Sequence, residues 1–460
     1  MEILEKVDDK EINETLHVLA DVVVALHSSG AHYARIVRNV ERMAKGLGFE
    51  VELVLTFNGI VLTIYKDKNE GSYTLARSIK IKGINFETVS GISILSWDVL
   101  ENKISTRRIG KILNRIKRKV VYQKWELYLL LPLASVSLCR LFEGDWLQCI
   151  IAFISTLLGI SFLKFLRAKS YNSFFSYFLV TVLSVSSIHL LGAIFNLNHI
   201  QALAVSVLYL VPGVILINSF IDYLEGYIEA GSSKFIYGLF IIFAIASGFF
   251  FSNFIYNLGI FNHVLYDFSE TQQSLVFHEE SSHALLFATK FLFGGLTSLG
   301  FAVLFNTPKR ALWVVFLLGG IGFLIKYVLN VEMNFSQLFA VFCASCFVGV
   351  SGMYFAHRTH TPPVVFTIPA VINMIPGLLS YQFMMGIINW IMQPNGKVQN
   401  VDEVIKILNT GISAIFIVFA LAFGVAFAVI VFKSHSVKGN DLNKLIELYF
   451  SKNAEKKSSQ

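Results

Sequence analysis

The hydrophobic pattern divides the chain near residue 126. Before that point apolar residues recur at short range; after it they run in long stretches separated by brief polar links. Ten such stretches approach the roughly 20 residues that cross the hydrocarbon core, the first short and the ninth long. They lie near 127–142, 146–166, 174–195, 199–221 and 235–259, then 283–306, 309–328, 335–356, 363–392 and 409–432. Within residues 1–126, Leu16, Leu19, Val23 and Leu26 share a helical face, as do Ile36, Val40, Met43 and Leu47. Ser29-Gly30-Ala31 separates or kinks these two stretches. Val51, Leu53, Leu55 and Phe57 then alternate, Asn58-Gly59 signals a tight hairpin, and Ile60, Leu62 and Ile64 return. Tyr73, Leu75, Ile79 and Ile81 predict a third strand, and helical pattern resumes at 86–100 and 105–121.

Two proline-glycine pairs interrupt this regularity. Pro212-Gly213 and Pro376-Gly377 stand 164 positions apart, each in the fourth stretch of a block of five. Proline lacks the amide donor and blocks the bond to the carbonyl four residues back, at Leu208 and Ile372. A broken helix survives in hydrocarbon where its backbone packs on protein or lines a cavity. Matching breaks in two halves point to a transport site near the membrane midplane. Leu141-Phe142 with Leu304-Phe305, Phe153 with Phe316 and Gly159 with Gly322 extend the repeat at an offset of 163. Blocks with an odd number of spans insert in opposite senses, so an inverted repeat is expected.

Composition agrees: the 460 residues are 55% hydrophobic and 15% charged, and mean hydropathy is +0.62. The net charge of +7 is unevenly placed. Lys164, Arg167, Lys169, Lys234, Lys309, Arg310, Arg358, Lys433 and Lys438 follow even-numbered stretches, against Arg140 and Lys397 on the other side. A basic run from Arg107 to Lys124 precedes the first stretch. Both termini are therefore expected in the cytoplasm, and the basic run reads as a membrane-proximal signal, not a nucleic-acid site. The start, Met1-Glu2-Ile3-Leu4-Glu5, does not read as a signal peptide.

The expected fold is a polytopic α-helical membrane protein. Residues 1–126 form a small cytoplasmic α+β domain, 127–260 and 283–433 form two inverted five-helix repeats, and 434–460 form a cytoplasmic tail.

The chain resembles the threonine/serine exporter (ThrE) family, whose two parts also occur as separate YjjP-like and YjjB-like proteins. Ser29-Gly30-Ala31, Arg38-x-x-Glu41, Leu47-Gly48, Gly59-Ile60 and Gly83-Ile84-Asn85-Phe86 carry the resemblance in the soluble part. Leu210-Val211-Pro212-Gly213 with Asn218 and Asp222 resembles the YjjP-like membrane segment. Phe305-Asn306-x-Pro308-x-Arg310 and Ile368-Pro369 through Ile375-Pro376-Gly377 resemble the YjjB-like half. The family often has Pro-Gly-Ile-Ile-Pro where this chain has Pro369-Ala370-Val371-Ile372-Asn373, so the substrate lining is expected to differ. The resemblance implies a secondary exporter, of threonine and serine first, with dicarboxylates of succinate type as the alternative.

The transport path is expected to include Pro212, Gly213, Asn218, Asn373, Pro376, Gly377, Gln382 and Lys290. Amides can bond both ends of an amino acid, but equally bond neighbouring helices. Lys290 either meets an anionic substrate or extends to the outer interface. Asp222 and Glu225 are candidates for proton coupling, or else solvated loop acids. His278-Glu279-Glu280-Ser281-Ser282-His283 is not a zinc motif, because histidines five apart diverge by about 140° on a helix. Cys343-x-x-Cys346 reads as packing. No Walker A sequence is present, and no cofactor or metal is expected. His17, His27 and His32 are scattered, with no nucleophile-base motif beside them. A membrane-anchored enzyme or sensor acting through residues 1–126 is the reading of another class. It leaves the paired breaks without purpose. Expected partners are a small-molecule substrate and the lipid bilayer. A second copy of the chain is left open, and nucleic acid is not expected.

Overall fold

The hairpin predicted at Asn58-Gly59 organises the first part of the structure. The computed structural model describes residues 2–66, 71–80, 83–102, 104–195, 200–256, 283–359, 361–392 and 401–431. Strands β1 (Glu50–Leu55), β2 (Gly59–Tyr65) and β3 (Tyr73–Ser78) form an antiparallel sheet in the order β1-β2-β3. Leu53 lies opposite Leu62 and Leu62 opposite Leu75. Ile60, Leu62 and Ile64 turn inward against α1 (Glu2–Ser28) and α2 (Tyr33–Gly46). Helices α3 (Phe86–Asn102) and α4 (Thr106–Arg118) complete that core through Val89, Ile92, Leu95, Ile109 and Leu113. The third strand ends at Ser78, short of the expected Ile81.

The apolar part begins with α5 (Lys124–Leu141), α6 (Trp146–Ala168) and α7 (Ser173–Phe195). A broken element follows: α8 (Ile200–Val205), a 3-10 turn (Leu208–Leu210) and α9 (Gly213–Leu224); then comes α10 (Ile228–Ile255). The second block repeats this order. It runs α11 (His283–Leu304), α12 (Leu312–Tyr327), α13 (Gln337–Thr359), then α14 (Val364–Val371), a 3-10 turn (Ile372–Met374) and α15 (Gly377–Met392), and finally α16 (Val401–Val431). Packing partners repeat as well: α5 with α6, α6 with α7, α7 with α10 and α9 with α10 correspond to α11 with α12, α12 with α13, α13 with α16 and α15 with α16. Between blocks, α5 meets α11, α9 meets α16 and α10 meets α15. Among the described residues four non-glycines have positive φ, and they fall into two pairs. Glu143 (66°) and Asn306 (50°) are 163 positions apart, and Ser170 (59°) and Asn334 (56°) are 164 apart. Each sits just past a helix end, where a left-handed residue closes the last turn.

Seven of the described helices are long and apolar enough to cross a membrane, and an eighth is obtained if the pair Gln201–Leu210 and Gly213–Leu224, bent by 59°, is one span. The count falls short of the expected ten for local reasons. Helix α5 has 18 residues and carries Lys124, Glu126 and Arg140, and the second break leaves only the short apolar piece Val364–Met374 before it. Large apolar side chains such as Ile150, Phe165, Phe240 and Phe416 point outward, and Trp125, Trp146, Trp313 and Trp390 are exposed near helix ends. Outward apolar bodies with tryptophans at the rims suit a bilayer.

The two parts are joined by backbone bonds. Phe86 N donates to Phe305 O and Glu87 N to Asn306 O, both at 2.9 Å. The His278–His283 motif falls outside the described residues except for His283, which begins α11. The expected tail, 434–460, lies outside them entirely.

Candidate functional site

Each break is a 3-10 turn followed by a proline-centred reversal. In the first, Val211 N bonds Leu208 O at 3.2 Å, and Gly213 N reaches over Pro212 to Val211 O at 2.8 Å. Pro212 has φ −78° and ψ 50°, close to an inverse γ-turn. The second repeats the pattern: Ile375 N bonds Ile372 O at 3.2 Å and Gly377 N bonds Ile375 O at 2.8 Å. The carbonyls of Leu208 and Ile372, which proline was expected to release, are thus taken by the tighter turn. The breaks also pack on each other reciprocally. A Cβ on Gly377 would lie 2.8 Å from Leu208 Cδ2 and 3.4 Å from Val211 Cγ2; one on Gly213 would meet Ile372 and Ile375. Glycine at both positions leaves room for the partner reversal's Leu208, Ile372 and Ile375 side chains, which would otherwise have to shift.

A cavity of about 400 Å³ lies over both breaks, walled also by α5, α11 and α12. Gly213, Asn373, Pro376, Gly377, Gln382 and Lys290 line it. Pro212 shapes the first break from behind the wall. The Lys290 ammonium is buried rather than extended to the surface; it donates to Leu141 O at 3.4 Å and lies 3.7 Å from the Glu143 carboxylate. Its Nζ also sits 5.2 Å from the Tyr327 ring centroid. A second ammonium, Lys326, lines the cavity with its Nζ 5.2 Å from the Phe323 ring. Asn373 Nδ2 bonds Gly294 O (3.1 Å), Gly319 O (3.3 Å) and Ser298 Oγ (3.4 Å), while its Oδ1 has no partner among the described residues. The same holds for Gln201 Oε1, so each block brings one unused amide oxygen to the cavity wall.

Asn218, Asp222 and Glu225 are not in this cavity. They form the seat of the soluble part. Asn218 Nδ2 donates to Gly30 O at 2.9 Å. The fully buried Asp222 accepts from Tyr33 N at 2.8 Å and from Lys234 Nζ at 2.5 Å. Glu225 accepts from Arg38 at 3.2 Å and pairs with His32 Nδ1 at 3.1 Å. Helix α2 has no side-chain cap of its own, and the Asp222 carboxylate supplies the anion at its positive end. Burial keeps His32 neutral, so its ring donates to Glu225 as an uncharged N–H. Burial pushes the Glu225 carboxyl up, but the His32 bond and the Arg38 and Arg35 charges outweigh it and hold it below the usual range. Atoms of His32, Asp222 and Glu225 lie within 4.8 Å of one another, a set able to ligate a metal. Tyr33 N and the Lys234 ammonium each bond one Asp222 oxygen.

The ThrE profile, described as "Putative threonine/serine exporter", matches residues 17–256, and a second, described as "Threonine/Serine exporter, ThrE", matches 290–431. The chain belongs to the threonine/serine exporter (ThrE) family. It is a multi-pass membrane transporter, not an enzyme. A "Probable succinate transporter subunit YjjP" of Klebsiella aerogenes is 25% identical over 49% of this chain and 88% of its own length. The protein of that name in Escherichia coli (strain K12) is 26% identical over 45% of this chain and 80% of its own. An "Uncharacterized protein" of Haemophilus influenzae is 32% identical over 29% of this chain, which spans 44% of that relative's length. No solved structure matches.

Several residues of the ThrE resemblance turn out to be junction residues. Gly30 O accepts from Asn218, and Phe86 and Glu87 bond the Phe305-Asn306 turn, while Ser29 O, accepting from Asn85 N, ties the two docking turns to each other. Sequence reasoning missed Glu143, Lys326 and Gln201. Lys326 had a signal, a lysine inside an apolar stretch; Glu143 follows the repeated Leu141-Phe142; Gln201 had none.

Proposed function

We propose that this chain is a secondary active exporter of small hydrophilic metabolites in the inner membrane, threonine and serine first, driven by the proton motive force. The observation that carries this reading is the meeting of both proline-glycine breaks at one cavity. An anchor or scaffold has no use for two reciprocally packed reversals, whereas a carrier needs a site between two halves that rock.

Ten spans in two inverted repeats, with both termini cytoplasmic, fit the recurring order, packing partners and left-handed helix ends. With that topology the described contacts of the soluble part, at Asp222, at Asn306 and between Phe57 and Tyr237, fall at cytoplasmic ends. The cavity then runs from the breaks toward Glu143, Asn330 and Gln337, all at outer ends, and the conformation is outward-facing. Pro212, Gly213, Asn373, Pro376, Gly377, Gln382 and Lys290 form or line the path. For Asn218, Asp222 and Glu225 the hydrogen bonds to Gly30, Tyr33, His32 and Arg38 support a seat for the soluble part, which acts as a gating element. A homo-oligomer is compatible with this plan.

A second reading, export of a dicarboxylate, is favoured by two ammonium groups, Lys290 and Lys326, in one cavity. The test is counterflow in proteoliposomes with labelled threonine, serine and succinate. Exchange of either amino acid supports the first reading, exchange of succinate alone the second, and exchange of none removes both.

A further inference from the structure

A proton-driven exporter needs a group at which substrate and proton exclude each other. We propose that Glu143 is that group: an α-amino acid binds with its carboxylate on Lys290 and its ammonium on Glu143, and a proton arriving from the outer mouth takes the place of the ammonium. This rests on the exporter reading above and assigns its coupling residue.

The geometry provides the pair. Glu143 lines the cavity with its carboxylate 3.7 Å from Lys290 Nζ. A zwitterion presents the same two opposite charges side by side and can insert between them, exchanging one ion pair for two. The loop that carries Glu143 is fixed: Glu143 N bonds Arg140 O at 3.1 Å, Gly144 N bonds Cys139 O at 2.9 Å, and Arg140 donates to Gly144 O at 2.7 Å. Glu143 itself closes α5 with φ of 66°. Its repeat partner Asn306 docks the soluble part instead, so the acid is particular to the outer end.

The charged groups acting on Glu143 are Lys290 on α11 and Arg140 on α5; the titratable Tyr327 of α12 also faces it, Lys326 of α12 shares the cavity, and Asp145 two residues on caps α6. Burial pushes the Glu143 carboxyl above the usual carboxylate range, against the Lys290 and Arg140 charges. It therefore takes up its proton in milder acid than a free glutamate. Only the carboxylate holds the substrate ammonium, so affinity is full above that range and lost as pH falls through it. The proton moves from outer water to a Glu143 oxygen, and the substrate leaves with its own ammonium intact. Lys326 offers the substrate carboxylate a second cation.

The test uses the full-length protein in proteoliposomes, with threonine counterflow measured from about pH 8 to about pH 5 on the outer side, bracketing the carboxylate range from above. The wild type should lose affinity several-fold toward acid. Glu143→Gln should bind threonine more weakly at high pH, show a flat profile and lose acid-driven uphill efflux. Glu143→Asp should restore the pH dependence. A Gln variant with the wild-type profile overturns this assignment while the exporter reading stands. Affinity that rises in acid, or in Glu143→Gln, also overturns it, because Glu143 then competes with a substrate carboxylate. Wild-type exchange of neither threonine nor serine overturns the assignment together with the amino-acid reading.

Discussion

Asp222 and Lys234 form an ion pair of 2.5 Å at the foot of the first broken helix, and the remaining Asp222 oxygen caps α2 at Tyr33. One side chain thus ties the break, its neighbouring helix α10 and the soluble part together. Removing one partner strands a buried charge, which typically costs about 3–5 kcal/mol. Asp222→Ala is expected to lower the melting temperature and to open the Ser29–His32 turn to protease. Asp222→Ala combined with Lys234→Met should recover part of the loss. Unchanged melting and proteolysis in the single variant would dissolve the proposed seat.

The breaks predict a separation of folding from transport. Pro212→Ala and Pro376→Ala each restore a donor and permit a continuous helix, so both should insert and fold. Transport should fall at least about tenfold, since the reversal that shapes the cavity is lost; tenfold corresponds to about 1.4 kcal/mol in the barrier. Pro376→Ala is expected to be the milder, because Ala370 and Asn373 already make that half less regular. Full activity in the double variant would reduce the breaks to packing kinks.

His27 gives a pH prediction. Its pKa is pushed down from 6.5 to about 4, first by burial and then by the Lys234 charge, and its Nδ1 has no partner among the described residues. Between those two values the unfolded chain binds a proton that the folded one refuses. Stability is therefore full above about 6.5 and falls as pH drops toward 4, by about 2–3 kcal/mol for a shift of this size. His27→Phe should flatten the melting temperature over that window. An equally steep profile in the variant would place the titration elsewhere.

The topology is checked by labelling single cysteines. Ser233→Cys and Ser170→Cys should react only from the cytoplasm, and Asn334→Cys only from outside. Labelling of Ser170→Cys and Asn334→Cys from the same side would defeat the inverted arrangement, since these are repeat partners 164 positions apart.

The sequence by itself determined the elements and their order. Long apolar runs, an Asn-Gly hairpin and alternating strands are local signals, and the structure follows them to within a few residues over most of the described chain. It also marked the two helix breaks by their proline-glycine pairs, whereas Pro132 and Pro369, which no glycine follows, sit inside continuous helices. What it could not determine was which polar groups share a space. Asp222 and Glu143 are each an acid near a helix end in the sequence, with a second acid, Glu225 or Asp145, close behind. Tertiary packing sends Asp222 to the α1–α2 turn, 189 positions away from it at Tyr33, and brings Glu143 to Lys290 across 147 positions. Likewise the two breaks are alike in sequence, but only the fold makes each fill the space left by the other's missing Cβ. Local conformation is set by neighbours along the chain; a site is set by which buried charges and small residues long-range packing brings into contact, and periodicity carries no record of that.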